Sequence, residues 1–237
     1  MELKRYGTDY GGFYYPVGLP GLNSKSNIYC VGVGEDISHD LEVASTTGAP
    51  VYLMDPTPRS IEHVAQVKQA LESRVAPPPD ARMGGGDPDY WQRVLRTSLD
   101  PSLIKFDPSG LSNTGGTAEF YLPDNPEYVS HSLVKGMPGK IAESIVVPIK
   151  TIHTAMKENG HSTVDLIKLD IEGVECEVLN DMMASNILPT YISVDFDIGR
   201  TGTRGRQAVE LCVRKLMMRG YTVLHEFNYD MSFYKSA

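Results

Sequence analysis

Acidic side chains stand at or just after the ends of several short apolar runs in this sequence. Carboxylates in such positions can accept hydrogen bonds from ligand hydroxyl groups, take up a proton, or hold a divalent cation. A sheet does not need these acids for its own packing, so they indicate a ligand-binding cleft where the strands end. The acids are Asp55, Asp170, Asp195 and Asp197.

Two glycines, Gly32 and Gly34, follow the first apolar run. Glycine allows the backbone to turn sharply into the next helix and to approach a ligand closely. Asp55 lies 23 residues after Gly32, a separation that suits a strand–helix–strand unit, and its carboxylate could bind the hydroxyl groups of a ribose. We therefore predict a nucleoside-binding site from Asp55 and a glycine loop. The loop residues are Gly32, Val33, Gly34, Glu35 and Asp36.

The glycine loop lacks the third glycine that lets a pyrophosphate sit on the end of the following helix. Asp36 and Ile37 occupy that region. An acid is unfavourable next to a pyrophosphate and favourable next to a cation, such as a sulfonium with an ammonium group. The loop therefore favours a cationic ligand, while a nicotinamide-dependent oxidoreductase and a non-catalytic nucleoside-binding module remain alternatives.

Apolar runs and helical patterns alternate along the chain, which predicts a parallel sheet covered by helices on both faces. Residues 103–106 and 110–111 are interpreted as one strand with a break at Pro108. The last two strands, separated only by 228–230, predict a hairpin. The fold class is therefore α/β and doubly wound, with a mostly parallel sheet and a C-terminal antiparallel hairpin. The predicted strands are 28–31, 50–54, 103–111, 117–122, 144–149, 164–170, 191–194, 221–227 and 232–234, and the helices are 36–46, 56–73, 89–95, 151–159, 175–185 and 207–219.

A chain of 237 residues suits one domain with a full core, and no boundary divides 1–237. Residues 1–26 predict an irregular N-terminal arm. Residues 75–102, with their proline and glycine runs, predict an irregular insertion around a short helix. Aromatic residues in these segments could stack on a sugar or an adenine, or they could pack against the body of the protein. They are Tyr14, Tyr15, Tyr90 and Trp91.

Composition bears on compartment and partners. Hydrophobic residues make up 41% and charged residues 22% of the chain, as in soluble globular proteins. The formal net charge of -8 argues against a nucleic-acid partner, which needs clustered Lys and Arg. No apolar stretch approaches the ~18 residues of a membrane span, the N-terminus lacks a signal-peptide pattern, and the three cysteines show neither disulfide nor metal spacing. We expect a cytoplasmic protein, and the sequence leaves its oligomeric state open.

The segment Lys168–Glu175, with the sequence KLDIEGVE, resembles the Lys-x-Asp-x-Glu-Gly-x-Glu pattern of the FkbM family of methyltransferases. The resemblance extends over residues 27–200. The chain departs from the family pattern before Gly32, where Cys30 and Val31 stand in place of an Asp, and in the insertion at 75–102. The supporting segments are 31–36, 55–58, 110–113, 116–121, 130–133 and 147–152.

This resemblance implies a class I, Rossmann-like methyltransferase fold with S-adenosylmethionine as the methyl donor. It implies transfer of the methyl group to an oxygen, often a hydroxyl of a sugar or a polyketide, so we expect a small-molecule or glycan acceptor. Leu111, Ser112 and Asp170 would complete the cofactor site that the glycine loop and Asp55 begin.

Methyl transfer to a hydroxyl requires that hydroxyl in line behind the sulfonium methyl and a base that removes its proton. The candidate bases are Asp170, His131 and Asp195. Asp170, Asp195 and Asp197 could instead hold Mg²⁺ against a substrate diol, because hard oxygen ligands suit that ion.

Each of these residues also has a purely structural alternative. Lys168 lies in a predicted buried strand and needs a carboxylate partner, and Asp195 and Asp197 could pair with Lys168 or with Arg200. Glu172 could cap the following helix, where an acid meets the positive end of the helix dipole. His131 could be an exposed loop residue.

Overall fold

The computed structural model describes residues 2–78, 83–125, 127–128 and 130–236. The strands are β1 Leu3–Tyr6, β2 Phe13–Pro16, β3 Ile28–Val31, β4 Val51–Met54, β5 Ile104–Asp107, β6 Gly110–Leu111, β7 Gly116–Pro123, β8 Lys140–Lys150, β9 Leu166–Leu169, β10 Tyr191–Asp195, β11 Tyr221–Phe227 and β12 Asp230–Lys235. The α-helices are α1 Ser38–Thr47, α2 Pro58–Ser73, α3 Tyr90–Arg96, α4 Ile152–Asn159, α5 Glu175–Ala184 and α6 Thr203–Met218, with 3₁₀ turns at Met83–Gly86, Pro101–Leu103 and Asp197–Thr201.

Seven strands form a central sheet in the order β11-β12-β10-β9-β3-β4-β5. The neighbouring pairs from β10 to β5 are parallel, and β12 pairs antiparallel with both β10 and β11. The predicted fold class is confirmed, including the C-terminal antiparallel hairpin. Alternation of strand and helix was enough to predict it, because each helix returns the chain to start another parallel strand.

The core lies on both faces of the central sheet, since successive side chains of a strand point to opposite faces. In β3, Ile28 and Cys30 join a cluster with α1, α2, α3 and the N-terminal strands, whereas Tyr29 and Val31 join a cluster with α4, α5 and α6. All four β3 residues are buried, as expected for a parallel strand covered on two sides. Within the described part of the chain, no helix combines the length and the apolar character that a membrane crossing needs.

A second sheet, which we term the small sheet, has three strands in the order β6-β8-β7. It corrects the prediction for the third strand. Ile104–Asp107 stays in the central sheet beside β4, but Gly110–Leu111 leaves it and pairs with β8. Pro108 lies between them, and proline interrupts the hydrogen bonding of a strand. β7 and β8 pair antiparallel. This sheet is separate from the central sheet, and it contains the predicted strands 117–122 and 144–149.

The N-terminal arm is not irregular, because β1 and β2 pair antiparallel from Leu3–Pro16 to Tyr6–Phe13. The four aromatic residues predicted to stack on a ligand instead pack against other parts of the protein. Tyr15, Tyr90 and Trp91 belong to the core, and Tyr14 stacks on His225 with ring centroids 4.1 Å apart. Their packing alternative is therefore the correct one.

Candidate active site

The glycine loop and the Lys168–Glu175 segment meet where the strand order reverses. From β3 the chain proceeds outward through β4 and β5, whereas β9 lies on the other side of β3; ligands of open α/β sheets bind at such switch points. A Cβ atom on Gly32 would lie only 1.7 Å from the backbone oxygen of Asp170, and Gly32 has a φ of +80°. Only glycine fits here, so the two motifs form one site.

A cavity of about 750 Å³, partly open to solvent, lies at this junction. Among the predicted site residues, Ser112, Asp195 and Asp197 are not in its wall. Ser112 is buried and its backbone N–H donates to the Lys150 carbonyl. The predicted residues that line the cavity are Gly32, Val33, Gly34, Glu35, Asp36, Asp55, Leu111, His131 and Asp170.

Asp55 holds the glycine loop in place. One carboxylate oxygen, Oδ2, accepts hydrogen bonds from the N–H groups of Val33 and Gly34 at 2.9 and 3.1 Å. The other, Oδ1, accepts from the backbone N–H and the hydroxyl of Thr57 at 2.8 and 2.7 Å. Protein donors thus already use the four lone-pair positions of this carboxylate, and ribose binding by Asp55 stays a prediction.

The two acids at the end of the glycine loop fasten it to other segments. Glu35 binds Arg59 through both carboxylate oxygens, at 3.0 and 2.5 Å. Asp36 is buried; its Oδ1 accepts from the Ser38 N–H at 2.8 Å and its Oδ2 accepts from the Thr8 hydroxyl. Burial raises the pKa of Asp36 above its ordinary value, opposed by these hydrogen bonds.

The buried side chain of Lys168 contacts both the glycine loop and Asp170. Its side chain is 2% exposed, its Nζ donates to the Gly32 carbonyl at 2.6 Å, and the same nitrogen lies 3.7 Å from Oδ2 of Asp170. Burial by itself lowers the pKa of Lys168, but the carboxylates of Asp170 and Asp40 outweigh burial and raise it. The expected carboxylate partner is therefore Asp170, and neither Asp195 nor Asp197 plays that part.

Asp170 combines an exposed face with an acidic environment. Burial raises its pKa to about 6, and the charges of Asp195 and Asp55 add to this effect while Lys168 opposes it. A carboxylate with a pKa near 6 is mostly ionised at neutral pH and yet is a stronger base than an ordinary aspartate. Asp170 can therefore accept a proton from a ligand in the cavity.

Glu172 does not cap the following helix, which corrects that alternative. It has a positive φ of 56°, and its carboxylate lies 3.2 Å from Nζ of Lys140 in β8. Helix α5 begins at Glu175, whose own carboxylate accepts the Gly173 N–H at 2.5 Å. Glu172 thus connects the switch point to the small sheet.

Asp195 and Asp197 pair with Arg200, as one of the two structural alternatives predicted. Arg200 contacts both carboxylates, and it also lies 3.5 Å from Asp230. Burial and the charge of Asp230 raise the pKa of Asp195 to about 7, and burial with the charge of Glu172 raises that of Asp197 to about 10. Together with Asp170 and Glu172 they form what we term the acid cluster.

Three residues of the acid cluster are close enough to share a divalent cation. Oxygens of Asp170, Glu172 and Asp197 lie within 4.8 Å of one another. The predicted magnesium set included Asp195 instead of Glu172. Arg200 and Lys140 already compensate much of the negative charge of the cluster, and magnesium stays a prediction.

The sequence has a family match that agrees with this geometry. A family model described as "Methyltransferase FkbM domain" matches residues 20–204, which is most of the chain. The chain belongs to the FkbM methyltransferase family. No curated protein matches it. Among solved structures, a fibrillarin pre-rRNA processing protein of Methanococcus jannaschii aligns over 94% of this chain and 78% of its own, with 9% sequence identity and a TM-score of 0.42.

The sequence did not predict the parts of the candidate site that come from distant segments. Tyr10 and Gly11 reach the cavity from the turn between β1 and β2, and Phe120 and Leu133 reach it from the small sheet and the loop that follows β7. The paired glycines at Gly11 and Gly12 were the one local signal of a functional turn. Phe120 lies in the predicted strand 117–122, but its place in the cavity wall depends on the pairing of that strand with β8 in a separate sheet, which the sequence did not predict.

Proposed function

We propose that this FkbM methyltransferase transfers a methyl group from S-adenosylmethionine to a hydroxyl oxygen of a sugar or glycan. The observation that carries the proposal is the contact between Gly32 and Asp170. It places a glycine loop suited to a nucleoside cofactor and a carboxylate suited to proton removal in one cavity. O-methylation of a polyketide or another small hydroxylated compound is the second candidate, with the same chemistry.

The walls of the cavity fit such a cofactor in shape and in charge. Met54, Leu111 and Phe120 offer apolar surface that suits a flat base. Asp36 and Asp170 offer negative charge, which suits an ammonium group and a sulfonium and disfavours a pyrophosphate. The combination of apolar surface and negative charge in the cavity wall, together with membership of a methyltransferase family, favours methyl transfer over a nicotinamide-dependent reaction or a non-catalytic role.

S-adenosylmethionine supplies an already activated methyl group when it is bound, so the protein has to position the acceptor and manage one proton. In the proposed mechanism Asp170 accepts the acceptor's hydroxyl proton at a carboxylate oxygen. Lys168 holds that carboxylate and the Gly32 carbonyl at fixed positions. His131 lines the same cavity and is the second candidate base. Asp195 lies outside the wall, so its proposed part is to raise the pKa of Asp170 by its charge.

Magnesium would be held by Asp170, Glu172 and Asp197 if the enzyme uses it, and it would orient a diol of the acceptor. Activity after dialysis against EDTA, with and without added Mg²⁺, tests that prediction. The cytoplasmic location and the lack of a nucleic-acid partner are also predictions.

Isothermal titration calorimetry tests the class of function. We expect micromolar binding of S-adenosylmethionine and of S-adenosylhomocysteine, and no binding of NAD. Binding of NAD without either of the other two would overturn the proposal. Binding of none of the three would favour a non-catalytic module.

A further inference from the structure

Tyr10 is an exposed aromatic residue whose surroundings are nevertheless fixed. Its residue surface is 68% exposed, yet the turn that carries it is held from below by the buried Thr8. The hydroxyl of Thr8 donates to Asp36 and accepts the N–H groups of Tyr10 and Gly11 at 3.2 and 3.1 Å. The turn between β1 and β2 is therefore fastened to the glycine loop.

A second segment fixes the Tyr10 ring from the side. A Cβ atom on Gly85 would lie 2.3 Å from Cγ of Tyr10, and one on Gly84 would lie 2.6 Å from the ring of Tyr90. Both glycines have positive φ values, of 67° and 62°. The glycine run is thus fitted between two tyrosine rings, and the Gly84 N–H donates to the Glu35 carbonyl at 3.0 Å.

Tyr10 consequently separates two spaces. On one side it lines the cavity that contains Asp170. On the other it lines an open groove of about 980 Å³, which we term the outer groove and whose further residues are Asp9, Gly84, Gly85, Gly86, Asp87 and Arg93. An aromatic ring that is both exposed and fixed in orientation can bind a ligand at little cost in conformational entropy.

The outer groove combines an aromatic face with charged groups that already have partners. Asp9 pairs with Arg5, Asp87 lies 3.9 Å from Nε of Arg93, and Nη1 of that arginine binds Glu42 at 2.9 Å. Because its arginine is bound to protein carboxylates, the groove does not select a strongly anionic ligand. A sugar ring suits it, because such a ring has an apolar C–H face that packs on an aromatic ring and hydroxyl groups that donate to carboxylates.

We propose that the outer groove is an acceptor subsite for a second ring of a polyhydroxylated, uncharged acceptor, with Tyr10 as the surface on which that ring lies. The acceptor is then an oligosaccharide or a glycoside of at least two rings. One ring presents its hydroxyl to Asp170 and the next packs on Tyr10, with Asp9 and Asp87 accepting hydrogen bonds from its hydroxyl groups. The inference rests on the proposed O-methyltransferase function.

The test uses an array of defined neutral oligosaccharides and glycosides, incubated with radiolabelled S-adenosylmethionine. Tyr10→Ala is compared with wild type, with Tyr10→Phe, which keeps the ring, and with Phe227→Ala, an exposed aromatic that lines neither space. We expect Tyr10→Ala to reduce labelling of the preferred glycan at least about tenfold through a higher KM. Phe227→Ala should label like wild type, and Tyr10→Phe should recover most of the labelling that Tyr10→Ala loses. Because Tyr10 also lines the cofactor cavity, affinity for S-adenosylhomocysteine is measured in each variant. In Tyr10→Ala this affinity should fall by less than the KM for the glycan rises, because the glycine loop is intact.

The outcomes separate the subsite from the function. Equal labelling by Tyr10→Ala and wild type would overturn the subsite and leave the methyltransferase standing. The same conclusion follows if wild type binds S-adenosylhomocysteine and methylates a non-sugar alcohol but labels no glycan. Failure of wild type to bind S-adenosylhomocysteine would overturn the proposed function itself. Gly85→Ala, which displaces the Tyr10 ring, should reproduce the defect of Tyr10→Ala.

Discussion

The glycine loop and the acid cluster both lie near the switch point, but the carboxylates of the two regions have different surroundings. In and next to the glycine loop, the carboxylates are bound by other groups of the protein: Asp55, after β4, accepts four hydrogen bonds, and Glu35 binds Arg59 through both oxygens. In the acid cluster, carboxylates crowd together and the pKa values of Asp170 and Asp195 rise to about 6 and about 7. The first region keeps the backbone in a fixed conformation, and the second contains carboxyl groups whose pKa values allow them to exchange a proton near neutral pH.

The largest effect should come from Gly32→Ala, because the new Cβ would meet the Asp170 carbonyl at 1.7 Å. We expect methyl transfer to fall by at least about 100-fold, since displacing reacting groups by about 1 Å costs that much. The control is Gly18→Ala, which has a similar φ of +78° and no atom within 4 Å. It should lose only the about 1–2 kcal/mol of left-handed strain and keep its activity. Equal effects of the two substitutions on activity would show that the contact with Asp170 does not matter.

Asp170→Asn should separate binding from catalysis. The amide keeps the shape of the side chain but cannot serve as a base. Because the sulfonium methyl is already activated, we expect the rate of methyl transfer to fall by about 10²-fold, the lower end of what a general base contributes. Affinity for S-adenosylhomocysteine, measured by calorimetry, should fall much less than the rate, because this product lacks the sulfonium charge and the glycine loop is unchanged. If activity survives in Asp170→Asn and disappears in His131→Ala, the base is His131.

The pH dependence of kcat/KM distinguishes the two aspartates. The base must be ionised, so kcat/KM should rise with pH, reach half its maximum near pH 6, and stay level above it. The charge of Asp195 raises the pKa of Asp170, but Asp195 has a pKa of about 7 and is itself mostly protonated near pH 6. Asp195→Asn should therefore move this midpoint to lower pH by only a fraction of a unit. Loss of activity at every pH in Asp195→Asn would instead make Asp195 the base.

The smallest effect should come from Glu35→Gln, which weakens the pair with Arg59 but leaves the backbone of the loop unchanged. Glu35 is buried and Arg59 is partly exposed, but glutamine can keep a hydrogen bond to Arg59, so the substitution should cost about 1 kcal/mol. For a chain of this size that corresponds to a fall in Tm of about 2–4 °C, and the difference from wild type should shrink at high salt. A loss of methyl transfer as large as that of Asp170→Asn would show that Glu35 has a catalytic part.

The sequence predicted what depends on neighbouring residues and missed what depends on distant ones. Strand–helix alternation and the closing hairpin follow from local patterns, and so does the turn at Gly32. The small sheet positions Lys140 next to Glu172 and brings Phe120 to the cavity. The sequence does not show that this sheet is separate from the central one, because β5 and β6 are only two residues apart. Tyr10 was missed for the same reason, since its contacts are to Asp36 through Thr8 and to Gly85.

A crystal structure with S-adenosylhomocysteine tests the central claim most directly. The account predicts that its homocysteine part lies against the glycine loop and that its sulfur faces the carboxylate of Asp170 across the space for one hydroxyl group. A ligand bound away from the switch point, or one with its sulfur turned away from Asp170, would contradict it.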